Sequence, residues 1–333
     1  DEIRSRGLGD VYKRQALVTS GPGATNAITG IATAYMDSIP VVVISGQVAS
    51  HLIGSDAFQE TDMMGISRPI VKHSFLVQSA EEIPVVIKKA FHIATSGRPG
   101  PVVIDVPKNM TDPNYKFEYK YPKELVMRSF PILGKGQDEK IANAIELFRS
   151  AKKPVIYSGG GTIQADASKE LTEFSKLIGC PVTNTLMGLG AFPGDDDQFV
   201  GMLGMHGTYE ANMVMSEADL IFNVGARFDD RITNNPSKFG LEAKKIHIDS
   251  DPSSIDKIIG VDLAIEGDAK LVMQQLIEQV KSTGFDQNIY KDWWAQVEGW
   301  REAHGLNHDM LKLKNEKDII CLLYTSDAAD DKQ

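Results

Sequence analysis

The chain has 333 residues, 35 basic and 45 acidic side chains, a formal charge of −10 at neutral pH, 42% apolar residues and 24% charged ones. These globular values exclude a disordered, collagenous or coiled-coil chain, and the acidic balance argues against a nucleic-acid partner, which demands a basic face. No run of about 18 apolar residues predicts a membrane-spanning helix, and no segment reads as a basic-then-apolar signal peptide.

Residues 1–15 (DEIRSRGLGDVYKRQ) and 321–333 (CLLYTSDAADDKQ) lack apolar periodicity and resemble translated sequencing-adaptor read-through. Fold reasoning is therefore confined to 16–320, which reads as a fragment because its first strand begins without a preceding element. Over 16–110 the pattern predicts a strand at 16–20, ending in Gly21-Pro22-Gly23, and then a helix rich in small residues over 24–36. An apolar strand follows at 40–45. Ile83, Val86, Ile87, Ala90, Phe91 and Ala94 fall at helical spacing within 81–95, and a strand at 101–106 is closed by Pro107. Strands alternating with helices imply a parallel sheet covered on both faces.

Residues 111–137 are broken by proline and glycine, show no sustained period, and read as a linker at the domain boundary. Over 138–282 the alternation restarts. Ile141, Ala144, Ile145 and Phe148 form a helical face, followed by a strand at 154–157 and the turn Ser158-Gly159-Gly160-Gly161. A helix carrying Leu171, Phe174, Leu177 and Ile178 comes next. Strands at 181–185, 199–202, 220–224, 245–249 and 263–266 and a closing helix at 270–281 complete a doubly wound domain of six parallel strands. Residues 283–320, with Trp293, Trp294 and Trp300 on a helix, read as the lead into another domain.

Cys180 and Cys321 form neither a disulfide framework nor a zinc spacing, so a reducing cytoplasm is the expected home. Gly159-Gly160-Gly161 stands between a strand and a helix, where backbone can approach a phosphate, although such turns also serve tight packing alone. Asp249 and Asp268 close strands at the edge where open α/β sheets bind ligands; as single residues they read equally as caps or turn formers. Gly225-Ala226-Arg227-Phe228-Asp229-Asp230-Arg231 ends another strand, and its arginines suit phosphate or carboxylate forks. The lone His206 in Gly204-Met205-His206-Gly207 has no metal spacing. Gly21-Pro22-Gly23 and Asp56-Ala57-Phe58-Gln59-Glu60-Thr61 follow first-domain strands, and nothing here forms a nucleophilic triad. The GDG-to-Asn motif that holds magnesium and a diphosphate cofactor is absent.

Six segments in order, LVTSGPGATNAITGIATAYMDSIPVVVISGQV, GSDAFQETD, SGRPGPVVIDVPK, NTLMGLGAFP, GMLGMHGTYEAN and GARFDDRIT, resemble the large catalytic subunit of acetolactate synthase. The last three separate it from pyruvate oxidase and glyoxylate carboligase. The resemblance implies three α/β domains in the parent, of which this chain carries the later part of a thiamine pyrimidine-binding domain, a complete central FAD-binding domain, and the approach to a missing diphosphate and Mg²⁺ domain. The family's activating glutamate would precede Ala16. The implied reaction of the parent joins pyruvate, with loss of CO₂, to a second 2-oxo acid (pyruvate or 2-oxobutanoate) on the path to valine, leucine and isoleucine. FAD would be structural, and the fragment itself inactive. By resemblance, FAD contacts fall at Arg98, Gly160, Thr185, Leu186, Leu203, Gly204, Met205, His206, Gly225, Ala226, Arg227, Phe228, Asp229, Asp249, Ser250, Asp268 and Ala269. Gln59 would lie beside the thiamine reaction centre, Phe58, Met205 and Lys108 would line the substrate path, and Arg231 would grip the second substrate's carboxylate. A homodimer or tetramer and a regulatory small subunit are implied as partners. The stretch Ala49-Ser50-His51-Leu52-Ile53 departs from the family's PRxxI pattern. The alternatives are another thiamine-dependent carboligase or decarboxylase, or a non-catalytic FAD-binding remnant.

Overall fold

A computed structural model describes residues 14–305 except 126, 128 and 131. Most of both terminal segments, including Cys321, lies outside the described residues. Gln15 lies inside them: it opens the first strand, pairing with Val42.

The first unit runs β1 (Gln15–Val18), α1 (Pro22–Asn26), α2 (Ile28–Met36), β2 (Val42–Gln47), α3 (Met63–Ser67), β3 (His73–Leu76), α4 (Ile83–Thr95) and β4 (Val102–Pro107). Its strands are all parallel, in the order β1-β2-β4-β3. Val42, Val43, Val102, Val103 and Ile104 are buried because helices cover both faces, which is why these central strands read as unbroken apolar runs. The predicted helix over 24–36 is two helices, broken at Ala27, whose N–H turns back to the carbonyl of Ala24. The edge strand β3 escapes the sequence pattern because it is four residues long, only partly buried, and opens on the exposed His73.

The described residues of 112–137 cross to the second unit without helix or strand and in part lie along α4. Lys88 Nζ donates to the carbonyls of Pro122 (2.6 Å) and Lys123 (2.7 Å), and His92 Nε2 lies 3.0 Å from the Phe130 carbonyl.

The second unit contains α5 (Asp138–Ser150), β5 (Pro154–Ser158), α6 (Gly160–Gln164), α7 (Ser168–Ile178), β6 (Val182–Asn184), β7 (Phe199–Met202), α8 (Tyr209–Glu217), β8 (Leu220–Val224), α9 (Asp230–Thr233), β9 (Lys244–Asp249), β10 (Leu263–Glu266), α10 (Ala269–Thr283) and α11 (Lys291–His304). Its six parallel strands lie in the order β10-β9-β8-β5-β6-β7. The chain starts in the middle, winds out to β7, and returns to wind out the other way, so the strand order reverses between β5 and β8. Phe148 of α5, Phe174 of α7 and Phe222 of β8 meet with ring centroids 5.1–5.5 Å apart and anchor the core.

The tryptophan-bearing helix packs on this same core. Trp293 Nε1 donates to the Pro154 carbonyl (3.0 Å) and Trp294 Nε1 to that of Gly179 (2.7 Å). Just before the helix, the Tyr290 hydroxyl donates to the Phe148 carbonyl at 2.6 Å. Within 283–320, which the sequence pattern reads as a lead into another domain, the described helix α11 packs against the second unit. No described helix is long and apolar enough to cross a membrane.

The two units meet head to tail. Loops at the amino ends of the first sheet's strands touch loops at the carboxyl end of the second. Gln164 of α6 donates to the Ser38 carbonyl at 2.9 Å, and Arg98 Nε to Ser38 Oγ at 2.8 Å. The Arg98 guanidinium also reaches Asp251, beyond β9, at 3.7 Å.

Candidate functional site: a crevice at six strand ends

Every strand of the second sheet delivers a singled-out segment to its carboxyl end. Gly159–161 follows β5, Thr185 and Leu186 follow β6, and Leu203 to His206 follow β7. Gly225 to Asp229 follow β8, Asp249 and Ser250 close β9, and Asp268 and Ala269 follow β10. The strand order reverses between β5 and β8, the place where such sheets take ligands.

The glycines make the two central loops interlock. The N–H of Gly159 donates to the Val224 carbonyl (2.9 Å) and that of Gly161 to the Gly225 carbonyl (3.0 Å). A Cβ on Gly161 would stand 2.8 Å from Gly225 Cα, and Gly225 itself sits at φ +62°, a left-handed conformation natural to glycine. Gly159 and Gly161 therefore serve close backbone packing, while a Cβ on Gly160 would face Met187 at 3.2 Å.

The segment after β8 alternates inward and outward. Ala226 and Phe228 are buried and Arg227 is exposed, so the first two can offer a ligand only backbone. Phe228 holds φ +54°, fixed by Tyr157, Phe239 and His247 around its ring. Asp229 caps α9 by accepting the Arg231 N–H at 3.0 Å, and Asp268 caps α10 by accepting that of Leu271 at 3.1 Å. Asp249 Oδ1 accepts the Asp251 N–H (2.8 Å), and its Oδ2 lies 3.4 Å from the buried His247 Nε2. Leu203 is buried, but Leu186 and Met205 are 69% and 71% exposed, giving the β6–β7 side an apolar rim.

Arg98 arrives from the other unit, roofing the β9 side of the crevice. Beside it, burial pushes the Lys72 ammonium down to about 8, against the opposing pull of Asp251. The loop before Met205 packs on α9: a Cβ on Gly204 would meet the Arg231 carbonyl at 3.1 Å. The Arg231 side chain is exposed, 3.9 Å from Asp230.

The remaining candidates lie at the carboxyl end of the first sheet. Gln59 holds φ +60° and packs on Gly21, where an added Cβ would meet Gln59 Cβ at 2.8 Å. Phe58 beside it is 89% exposed. Lys108 lines a cleft of about 400 Å³ with Thr19, Ser20, Gly46 and Gln47. The described residues thus separate into two groups, one at each sheet's carboxyl edge.

Three buried polar residues in this region escape sequence reasoning. Asn184, at the end of β6, is fully buried and neither its Oδ1 nor its Nδ2 has a partner among the described residues. Gln47 Nε2 donates to the Thr61 carbonyl (2.7 Å) and to Asp105 Oδ2 (2.9 Å). Burial pushes the Asp105 carboxyl up to about 6, opposed by the hydrogen bond from Gln47. Such a group binds its proton more tightly folded than unfolded, so its own contribution to stability is fully present below about pH 4 and is lost as pH rises through about 6. Thermal midpoints measured across that window should fall, and Asp105→Asn should remove this component of the slope.

Residues 14–66 match the family described as thiamine pyrophosphate enzyme, N-terminal TPP binding domain, and residues 141–276 match thiamine pyrophosphate enzyme, central domain. The chain is 56% identical over 313 residues to an acetolactate synthase large subunit of Buchnera aphidicola subsp. Acyrthosiphon pisum, covering 92% of this chain and 55% of that protein. It is 55% identical over 295 residues to the acetolactate synthase isozyme 3 large subunit of Escherichia coli (88% and 51% covered). To an acetolactate synthase of Mycobacterium bovis it is 45% identical over 293 residues (88% and 47%). The chain spans about half the length of these relatives.

Proposed function

We propose, from the premise that this chain belongs to the thiamine pyrophosphate enzymes, that it is part of an acetolactate synthase large subunit. The protein carrying it condenses pyruvate with a second 2-oxo acid, releasing CO₂, in branched-chain amino acid synthesis. The observation that carries this reading is that the chain is 56% identical to such a subunit over 92% of its length, and that three of the segments resembling it, after β6, β7 and β8, stand side by side at the carboxyl edge of the second sheet.

The crevice fits FAD on physical grounds. An amide buried without a partner, as at Asn184, costs about 1–3 kcal/mol, a penalty that a polar ligand removes. The exposed apolar rim at Leu186 and Met205 suits a flat ring system. Arg98, Gly160, Thr185, Gly204, His206, Gly225, Arg227, Asp249, Ser250 and Ala269 would hold the rest of the nucleotide, with no net redox demanded of it. Thiamine diphosphate, bound with Mg²⁺, would supply the carbanion that the decarboxylation of pyruvate requires. Gln59, held over the Gly21 turn, orients the reacting groups there. Phe58 and Lys108 shape the approach, and Arg231 forks onto the carboxylate of the second 2-oxo acid. The oligomer and a regulatory small subunit belong to the same proposal, as does a reducing compartment, in which Cys180 stays a free, buried thiol.

The test is turnover by the protein that carries this segment: with thiamine diphosphate, Mg²⁺ and FAD, pyruvate should yield 2-acetolactate and CO₂. Absence of product with the cofactors bound overturns the reading. Arg231→Lys should raise the KM for the second 2-oxo acid about tenfold or more, since a point charge replaces a two-pronged donor. An unchanged KM would remove Arg231 from this role.

A further inference from the structure

The segment carrying Gln59 is a built device. Glu60 organises it from within: its carboxylate accepts the N–H of Gly54 and that of Ala57, the latter at 2.9 Å. The Glu60 N–H returns to the Ala57 carbonyl at 2.9 Å. The turn is tied to the sheet below by the Gln47 amide. That amide is fully engaged: its oxygen accepts the Val48 N–H (2.8 Å), and its nitrogen is shared between the Thr61 carbonyl and Asp105 Oδ2. Asp105 ends this chain of contacts at 1% exposure, its Oδ1 without a hydrogen-bond partner among the described residues. A carboxyl group set into a sheet, with one oxygen spent on aligning a neutral amide, is costly as mere packing.

We propose that Asp105 is a positioning residue for the Gln59 turn, acting through the Gln47 amide to fix where the turn stands above β2 and β4. The inference rests on the reading of Gln59 given above. The physical link is the strength of one hydrogen bond. An ionised carboxylate accepts the Gln47 N–H more strongly than a protonated one does, and so holds the amide in the orientation that grips Thr61. Around Asp105, Ser45 and Gln47 on β2 are neutral, and Leu76 opposite it on β3 is apolar. Asp62, the α3 cap, is the charged group whose field reaches it. The turn is therefore held more tightly as Asp105 ionises.

Amide hydrogen exchange on the 333-residue chain, with no cofactor added, tests this. After correction for intrinsic exchange, protection at Ala57, Glu60 and Met63 should rise between about pH 5 and 7. Asp105→Asn should abolish that rise and lower protection at pH 7 about tenfold, while Val43 and Ile104 in the strands keep theirs. Gln47→Met should have the same effect, and adding Asp105→Asn to it should change nothing more. A pH-independent wild-type turn, equal loss in the strands, or full additivity of the two substitutions would each overturn the proposal. Turnover of the holoenzyme reports separately on Gln59: loss of the exchange coupling with activity intact refutes the Asp105 role alone, and coupling without thiamine-dependent turnover refutes the enzymatic reading alone.

Discussion

Gly159→Ala should destabilise the second unit by about 3 kcal/mol and weaken binding of the FAD proposed for this edge. The new Cβ would fall within the radius of the Gly225 carbonyl oxygen and 2.7 Å from Ala226 Cα. Backbone atoms, unlike the end of a flexible side chain, cannot swing aside. The Gly225 loop is itself fixed, because the Gly225 N–H donates to the Ile248 carbonyl at 3.0 Å on the neighbouring strand β9. Relief must therefore come from prising β5 and β8 apart at their carboxyl ends, which opens the crevice. Urea unfolding with an unchanged slope and a lower midpoint is the expected record. Gly30→Ala provides the contrast. That glycine lies inside α2 with nothing within 4 Å of an added Cβ, so the change should gain about 0.5–1 kcal/mol. Equal effects of the two substitutions would refute the steric account.

Trp293→Ala should cost about 3–5 kcal/mol. The indole is 2% exposed, stands edge-on to Trp300 at 5.7 Å, carries the Lys153 ammonium 5.3 Å from its ring, and donates to the Pro154 carbonyl. Removing it leaves a large cavity and an unpaired carbonyl at the start of β5, the strand from which the second sheet is built outward. The expected result is a lower urea midpoint for the whole second unit. A loss confined to fraying of 291–304, with the sheet's stability intact, would show that α11 is only appended.

The parallel strands were legible because Val, Ile and Leu at β2, β4, β5, β8 and β9 are buried on both faces, which writes burial directly into composition. β3 and α8 were not. β3 opens with a polar residue at a sheet edge, and α8 buries Glu210 beside Ala211 and Val214, which blurs its apolar stripe. The Trp helix was readable as a helix, but its destination was not, since its partners at Pro154 and Gly179 lie 139 and 115 residues away. At the site, glycines and acids after strands marked the crevice edge from local pattern alone. What glycines 159 and 161 do there, packing on Gly225, appears only when β5 and β8 are side by side. Asn184, Gln47 and Asp105 sit inside strands or at their ends, where a polar letter looks like any strand residue until its missing or shared partner is seen.

The head-to-tail junction makes domain orientation a quantity linked to ligand binding. The first unit lends Arg98 to the carboxyl edge of the second sheet, and among the described residues Gln164 to Ser38 and Arg98 to Asp251 span the seam. A nucleotide that touches both Arg98 and the strand ends is then a strut across that seam. By reciprocity, whatever free energy it gains from Arg98 it returns as restriction of the hinge between the units. A ligand so bound would thereby aim the first sheet's carboxyl edge, with Gln59 and Lys108, from the opposite end of its own strands.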